Sequence, residues 1–351
     1  MAHRFDSRCP MPLASAVFAF GLSACGGGGS PAPSVVVPEG PRAVAASAGS
    51  DVSVGNYVDL ASPLVRALLS GGGSDLLDPL AGERAAPLAH AAARPVALAS
   101  GALLTVPTLT GRTVLAWWMR AVAAPQRKRI AAVQSETLPC AVAGQITVSF
   151  DDADNDNTVS AGDTIGVDAL NCIDEAALPA IDGSFSMRVN GVELDGQGEP
   201  TALDVSGRFE AFTLAGYGTL DGSFRLWTRQ ETAASSRLRL RYEAATFTET
   251  TGNVTYDFDI DGLANSQGGS FEISGGLRLG GHTYALSTAT RLQYALGQPP
   301  AIGAVDLRDA AADGLRVVAR SQTLFDLEFR PVGSTVPTAV TAGLVWADFE
   351  D

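Results

Sequence analysis

The chain has 351 residues, of which 46% are hydrophobic and 18% are charged, and its formal net charge is −14. This acidity excludes a general nucleic-acid-binding protein, because such proteins present a basic surface to the phosphates. The 38 glycines and 19 prolines favour turns and short strands over long helices. No apolar run reaches the roughly 18–20 residues that a membrane-spanning helix needs.

The N-terminus has the order of features found in a secretory signal peptide. A basic start precedes an apolar segment over 13–22, which is too short to cross a bilayer. The sequence LSAC over 22–25 follows and resembles a bacterial lipobox, in which the cysteine is lipidated and becomes the mature N-terminus. This resemblance implies a lipid anchor at Cys25, and Gly26 after it implies the outer membrane. An ordinary signal peptide with a chance cysteine is the alternative.

Two cysteines remain after such processing, Cys140 and Cys172. Because the bacterial periplasm is oxidising, we expect them to form a disulfide, which would stabilise the fold by roughly 3–4 kcal/mol. A redox-active pair is the alternative, although such pairs usually have C-x-x-C spacing. A zinc site has little support, because His90 and His282 have no partner at ligand spacing.

Composition divides the chain into four parts. These are a signal peptide over 1–24, a flexible tether over 25–56, an Ala- and Pro-rich region over 57–135 and a β-domain over 136–351. Short helices are predicted over 57–70 and 113–124. The second contains Trp117 and Trp118, and we expect it to pack on the sheet; an interfacial membrane helix is the alternative.

From residue 136 onward, short stretches in which apolar and polar residues alternate are separated by the turn residues Gly, Asp and Asn. This pattern is typical of antiparallel strands. We predict a mainly β fold, a large antiparallel meander that forms an open or closed barrel-like sheet after the short helical region. The predicted strands are 145–150, 164–170, 184–190, 202–212, 223–229, 236–247, 254–260, 270–279, 283–296, 304–309, 315–320, 324–330 and 341–349. The acidic run over 257–261 is expected to form one face of a strand.

A tetrapeptide recurs within this domain. It reads DGSF at 182–185 and 221–224, and GGSF at 268–271. Asp-Gly and Gly-Gly supply the positive φ angles of tight hairpin turns, so we expect each copy to begin a strand after such a turn. Chance recurrence of common turn residues is the alternative.

The segment over 152–163 has the spacing of an EF-hand calcium loop. Side chains with oxygen atoms occupy positions 1, 3, 5, 7, 9 and 12 of this segment. This spacing suits a hard cation, because such an ion binds about six to eight oxygens. The loop resembles dockerin-type loops, with Asn157 where Gly is usual; a solvated Asx-rich turn is the alternative. The predicted Ca²⁺ ligands are Asp152, Asp154, Asp156, Thr158, Ser160 and Asp163.

The order of these elements resembles that of uncharacterised proteobacterial outer-membrane lipoproteins over about 136–351. The resemblance is carried by Cys140, the strand GQITVSF (144–150), the SAGD that ends the loop (160–163), Cys172 and DGSFSM (182–187). The resemblance implies an envelope lipoprotein and brings no established activity.

No catalytic motif of the G-x-S-x-G, H-E-x-x-H or phosphate-loop type occurs. We therefore predict a non-enzymatic structural or binding module of the cell envelope, held to the membrane by lipid at Cys25. One alternative is a carrier or sensor of an apolar ligand in a curved sheet. Another is a glycan hydrolase that uses a carboxylate pair among Glu210, Glu243 and Glu272.

Overall fold

The computed structural model describes residues 35–72 and 134–349, apart from 141, 155–159, 174–179, 196–199, 216–217, 233, 250–251, 266 and 296–297. A helix, α1 (Ala61–Gly72), precedes a 14-stranded antiparallel sheet in which each strand pairs with its neighbours in the chain. The strands are β1 (Gln134–Pro139), β2 (Ala143–Asp151), β3 (Thr164–Ile173), β4 (Ile181–Leu194), β5 (Pro200–Leu214), β6 (Gly218–Thr232), β7 (Ser235–Glu249), β8 (Gly252–Asn265), β9 (Gly268–Leu279), β10 (His282–Ala295), β11 (Ile302–Arg308), β12 (Gly314–Ala319), β13 (Leu324–Arg330) and β14 (Ala339–Val345). A 3-10 helix, Trp346–Phe349, follows β14.

The predicted antiparallel meander is confirmed, and the sheet is open, with β1 and β14 at its two edges. The predicted strands correspond in order to β2–β14, whereas β1 was not predicted. The helix predicted over 57–70 is α1, which begins later because residues 54–60 form turns. The helix predicted over 113–124 lies outside the described residues. No helix in the described part of the chain is long and apolar enough to cross a membrane.

The sheet has one apolar face and one polar face, because side chains alternate along each strand. In β7, Leu238 and Leu240 are buried on the apolar face, while Arg237 and Arg239 lie on the polar face. The buried hydrophobic residues of the apolar face form one continuous cluster with the buried residues of α1. The apolar face is therefore a packed core with the helix against it.

Residues 35–52, here called the strap, cross the polar face, and the chain then enters the apolar core with Val52 and Tyr57 before it reaches α1. Their backbone N–H groups donate from Val35 to Glu193 (2.7 Å), Arg42 to Ser274 (2.9 Å), Ser47 to Thr283 (2.9 Å) and Val52 to Asp309 (2.8 Å). These acceptors lie on β4, β9 and β10 and just after β11. The strap differs from the flexible tether predicted over 25–56, because polar groups of the sheet satisfy its backbone.

The Asp-Gly pairs at 182–183 and 221–222 lie inside β4 and β6, which corrects the prediction of hairpin turns there, whereas the copy at 268–271 begins β9 after a turn, as predicted. Ala211 of β5 has φ +48° and forms a bulge opposite Gly183 of β4, where a Cβ atom would lie 2.1 Å from the Ala211 carbonyl oxygen. The Ala211 N–H donates to Asp221 of β6 at 2.7 Å. Gly183 of the first repeat thus leaves room for the bulge at Ala211, and Asp221 of the second repeat accepts a hydrogen bond from it.

The same arrangement occurs on both sides of this bulge. Asn171 of β3, with φ +47°, faces Gly144 of β2 and donates its N–H to Asp182 at 2.8 Å. Ala244 of β7, with φ +49°, faces Gly222 of β6. Bulges bend strands and increase their twist, so this line of bulges from β2 to β7 curves the sheet.

Candidate metal site

The Asp-rich loop connects β2 to β3 and is fastened to β4. The Gly162 N–H donates to the Val189 carbonyl at 2.8 Å, and the Val189 N–H donates to the Asp163 carbonyl at 2.9 Å. Two backbone hydrogen bonds therefore fix the end of the loop on the neighbouring strand, and the last predicted ligand has a defined position.

Three carboxylates converge in this loop. Asp152, Asp154 and Asp163 each offer one oxygen, and these oxygens all lie within 4.8 Å of one another. Ligands about 2.3–2.6 Å from a shared Ca²⁺ ion would lie roughly 3–5 Å apart, so the spacing fits one hard cation. Asp163 is fully buried, whereas Asp154 is exposed.

Asp163 is held by backbone donors on both sides of the loop. Its Oδ2 accepts the Ser160 N–H at 2.8 Å and its Oδ1 accepts the Ala153 N–H at 3.0 Å. Burial raises the pKa of Asp163, the two N–H donors oppose that shift, and the neighbouring charges of Asp152 and Asp154 add to it. A bound cation would favour the ionised form of this carboxyl group.

The structure brings together three of the six predicted ligands, Asp152, Asp154 and Asp163. A fourth, Ser160, lies next to them, because its hydroxyl donates to Asp154 Oδ2 at 2.9 Å. Asp156 and Thr158 lie outside the described residues.

The predicted pairing of Cys140 with Cys172 is present as a disulfide with a Cα–Cα distance of 5.5 Å. Cys140 precedes β2 and Cys172 lies near the end of β3. The β2–β3 hairpin is therefore tied by the disulfide at one end and by the fastened loop at the other. Cys25, the predicted lipidation site, and His90 lie outside the part of the chain that the structure describes.

A buried charge cluster on the polar face was not predicted. Arg239 and Arg241 of β7 both donate to Asp259 of β8, and the Arg239 guanidinium also donates to the strap carbonyls of Pro38 (2.6 Å) and Gly40 (2.7 Å). Burial opposes ionisation of Asp259, yet the hydrogen bonds from Arg241 and Arg239 hold its pKa below the ordinary value. The strap therefore covers Arg239 on the polar face of β7.

A tryptophan is buried in the same face. Trp227 of β6 contacts two guanidinium groups, with Arg225 at 4.7 Å and Arg241 at 5.5 Å from the ring centroid. Asp204 of β5 accepts two hydrogen bonds from Arg225, at 2.9 and 2.7 Å. These contacts continue the charge cluster from β5 to β8.

A cleft of about 570 Å³ adjoins the strap on the polar face. Its walls include two ion pairs, Arg237 with Asp261 (2.9 Å) and Arg291 with Glu272 (2.9 Å). The basic groups of these pairs are therefore already engaged by acidic neighbours on adjoining strands.

The acids considered for glycan hydrolysis lie on three different strands. Glu210 of β5 pairs with Arg208 at 3.0 Å, and Glu272 of β9 pairs with Arg291. Glu243 lies between them in sequence, on β7, and is exposed. His282 begins β10 beside the turn after β9 and is exposed.

Comparisons with protein families, curated proteins and solved structures found no match to this chain. The resemblance to proteobacterial lipoproteins therefore stays a prediction.

Proposed function

We propose that this chain is a lipid-anchored module of the bacterial cell envelope, non-enzymatic, with a calcium-stabilised loop. The observation that carries the calcium proposal is the convergence of Asp152, Asp154 and Asp163 within 4.8 Å. Like charges at that spacing repel one another, and a divalent cation would offset the repulsion. Asp156, Thr158 and Ser160 complete the proposed ligand set by their spacing in the sequence.

Calcium is preferred over magnesium on chemical grounds. Ca²⁺ accepts six to eight oxygens in irregular geometry, whereas Mg²⁺ requires a near-ideal octahedron at about 2.0–2.1 Å. A loop that supplies side chains of different lengths suits the larger ion. The short aspartate at the last position gives weaker bidentate contact than glutamate, so we expect a Kd on the order of 10⁻⁴–10⁻³ M.

Calorimetric titration of EDTA-treated protein tests the identity of the ion. We expect heat with Ca²⁺ and little with Mg²⁺ at the same concentration. Asp154→Ala, which removes a ligand oxygen, should remove the calcium signal, whereas Asp168→Ala, which removes an exposed acid on β3, should leave it intact. Absence of heat at millimolar Ca²⁺ would make the loop an Asx-rich turn.

The anchor is proposed at Cys25, as the lipobox resemblance implies. A diacylglyceryl group together with an N-acyl chain holds a protein to a bilayer far more firmly than one chain does. Fractionation of cells that express Cys25→Ala tests this directly. We expect the variant in the soluble periplasmic fraction, and its recovery with membranes would show that another segment or a partner provides the attachment.

The packing of the sheet favours a structural or binding module over an apolar-ligand carrier. The apolar face is filled by its own side chains and by α1, and the cleft beside the strap lies on the opposite, charged face. An apolar ligand would have to displace packed core residues. The ion pairs of Glu210 and Glu272 with arginines on the same or a neighbouring strand likewise give these acids a structural role.

A further inference from the structure

One row of cross-strand neighbours marks the end of the sheet at which the strap begins. We call it the entry row, and its members on β4–β11 are Glu193, Ala202, Arg229, Arg237, Leu263, Ser270, Gln293 and Ile302. Val35, the first described residue of the strap, donates its N–H to the first member of this row at 2.7 Å. The chain therefore reaches the folded domain at this end.

Four exposed aliphatic side chains lie in or beside the entry row. Leu263 and Ile302 belong to it and are 43% and 53% exposed. Leu194 is the last residue of β4, and Val36 follows the first strap residue; they are 47% and 69% exposed. Leu194, Leu263 and Ile302 lie on strands that are not neighbours, so they form no continuous apolar patch, and each would contact a partner surface singly.

The opposite end of the sheet is far from this row. The β7 strand runs from Ser235 beside the entry row to Glu249, a length of roughly 50 Å at about 3.3 Å per residue. The disulfide and the turn between β9 and β10, where Ser47 contacts Thr283, lie toward that far end.

The chain between Cys25 and Val35 limits how far the entry row can lie from a lipid anchor. Fully extended, this segment spans at most about 35 Å, and a flexible Gly-rich chain of that length has an average span of roughly 17 Å. Both lengths are shorter than the sheet. We propose that the entry row faces the bilayer and that a lipid surface is the partner of its exposed aliphatic residues. This proposal rests on the anchor proposed at Cys25.

The acidic groups at the same end set the depth of this contact. Glu231 of β6 and Glu39 of the strap both line the adjoining cleft. Glu39 forms a long ion pair with Arg237, at 3.5 Å. Burying such carboxylates in hydrocarbon would be costly. The contact is therefore with the headgroup region, and the aliphatic side chains rest on the surface of the bilayer.

Energy transfer from a dye on the protein to headgroup-labelled lipids measures this orientation. The probe sites are Ala234→Cys, in the exposed turn between β6 and β7, and Thr248→Cys, at the far end of β7. Both residues are exposed, and Cys140 and Cys172 are engaged in the disulfide, so one thiol is labelled in each variant. Protein extracted from membranes is reconstituted into vesicles, and mass spectrometry establishes the lipid on Cys25.

We expect about twofold or greater transfer from position 234 relative to position 248, because the two sites are roughly 46 Å apart along β7. Equal or reversed transfer from lipidated protein would overturn the orientation while leaving the anchor in place. An unlipidated Cys25 would overturn the anchor, and with it the orientation.

A paired substitution tests the aliphatic contact separately. Leu263→Ser combined with Ile302→Ser should lower transfer from the probe at position 234. Val340→Ser, which removes a 51% exposed valine from the edge strand β14, is the matched control and should leave transfer unchanged. Equal effects of the two changes would contradict a lipid contact at the entry row.

Discussion

Arg239 of β7 and Asp259 of β8 form an ion pair in which each side chain is only 2% exposed. The remaining donors of the guanidinium group reach the strap carbonyls of Pro38 and Gly40. Because an unpaired buried charge is costly, the pair and the strap depend on each other. The N-terminal segment is therefore part of the folded domain and not merely a connection to it.

The first prediction concerns this pair. Arg239→Met should lower the free energy of unfolding by about 3–5 kcal/mol, because it leaves a buried carboxylate short of a partner and removes two hydrogen bonds to the strap. Urea denaturation measures the change. Arg291→Met is the control, since its pair with Glu272 is more exposed and should contribute about 1 kcal/mol or less. Similar losses in both variants would contradict the role assigned to Arg239.

The second prediction concerns pH. Burial opposes ionisation of Asp259 and Asp306, but the arginines that bond them hold both pKa values below the ordinary 3.8. Each carboxylate therefore contributes stability that is present above pH 3.8 and is lost as the pH falls through the lower folded value. We expect the free energy of unfolding to fall below about pH 4, and to fall less steeply in Asp306→Asn. An equally steep fall in that variant would argue against the assignment.

The third prediction tests the line of bulges. Gly183→Ala should destabilise the fold strongly, because the new Cβ would lie 2.1 Å from the Ala211 carbonyl oxygen. Gly280→Ala is the matched control, since Gly280 also has a positive φ but has no atom within 4 Å of such a Cβ. The control should cost only the strain of the left-handed conformation, about 1–2 kcal/mol. Thermal unfolding that shows equal losses would remove the packing argument.

The sheet could be predicted because its strands carry a local signal. Alternation of apolar and polar residues is visible in β7, where Leu238 and Leu240 alternate with arginines. The edge strand β1 has no such pattern: its sequence, QSETLP, contains one large apolar residue and ends in proline. Edge strands need only one partner, so their sequences are less constrained.

The Asp-Gly repeat shows where local information ends. The same dipeptide that closes a hairpin also fits inside a strand if a neighbouring strand bulges toward it. Gly183 takes a positive φ because Ala211 lies opposite, and that contact joins residues far apart in sequence. The sequence pattern therefore predicted the positive φ angle, but not that the glycine would lie inside a strand opposite a bulge.

The strap and the buried arginine were missed for a related reason. Residues 35–52 have no apolar period, because the segment is neither a helix nor a strand and its backbone is satisfied by Glu193, Ser274 and Asp309. The Asp-rich loop was recognised because its candidate ligands are close in sequence. Contacts between residues that are far apart in the chain produce no local sequence pattern from which they could be predicted.

Thermal unfolding in Ca²⁺ and in EDTA tests the proposed stabilisation of the loop by calcium most directly. Burial raises the pKa of Asp163, so at neutral pH its ionised form disfavours the metal-free fold, and a bound cation would remove that cost. We predict a higher Tm in millimolar Ca²⁺ that is lost in Asp154→Ala and retained in Asp168→Ala. The same Tm with Ca²⁺ and with EDTA would contradict a calcium-binding role for the loop.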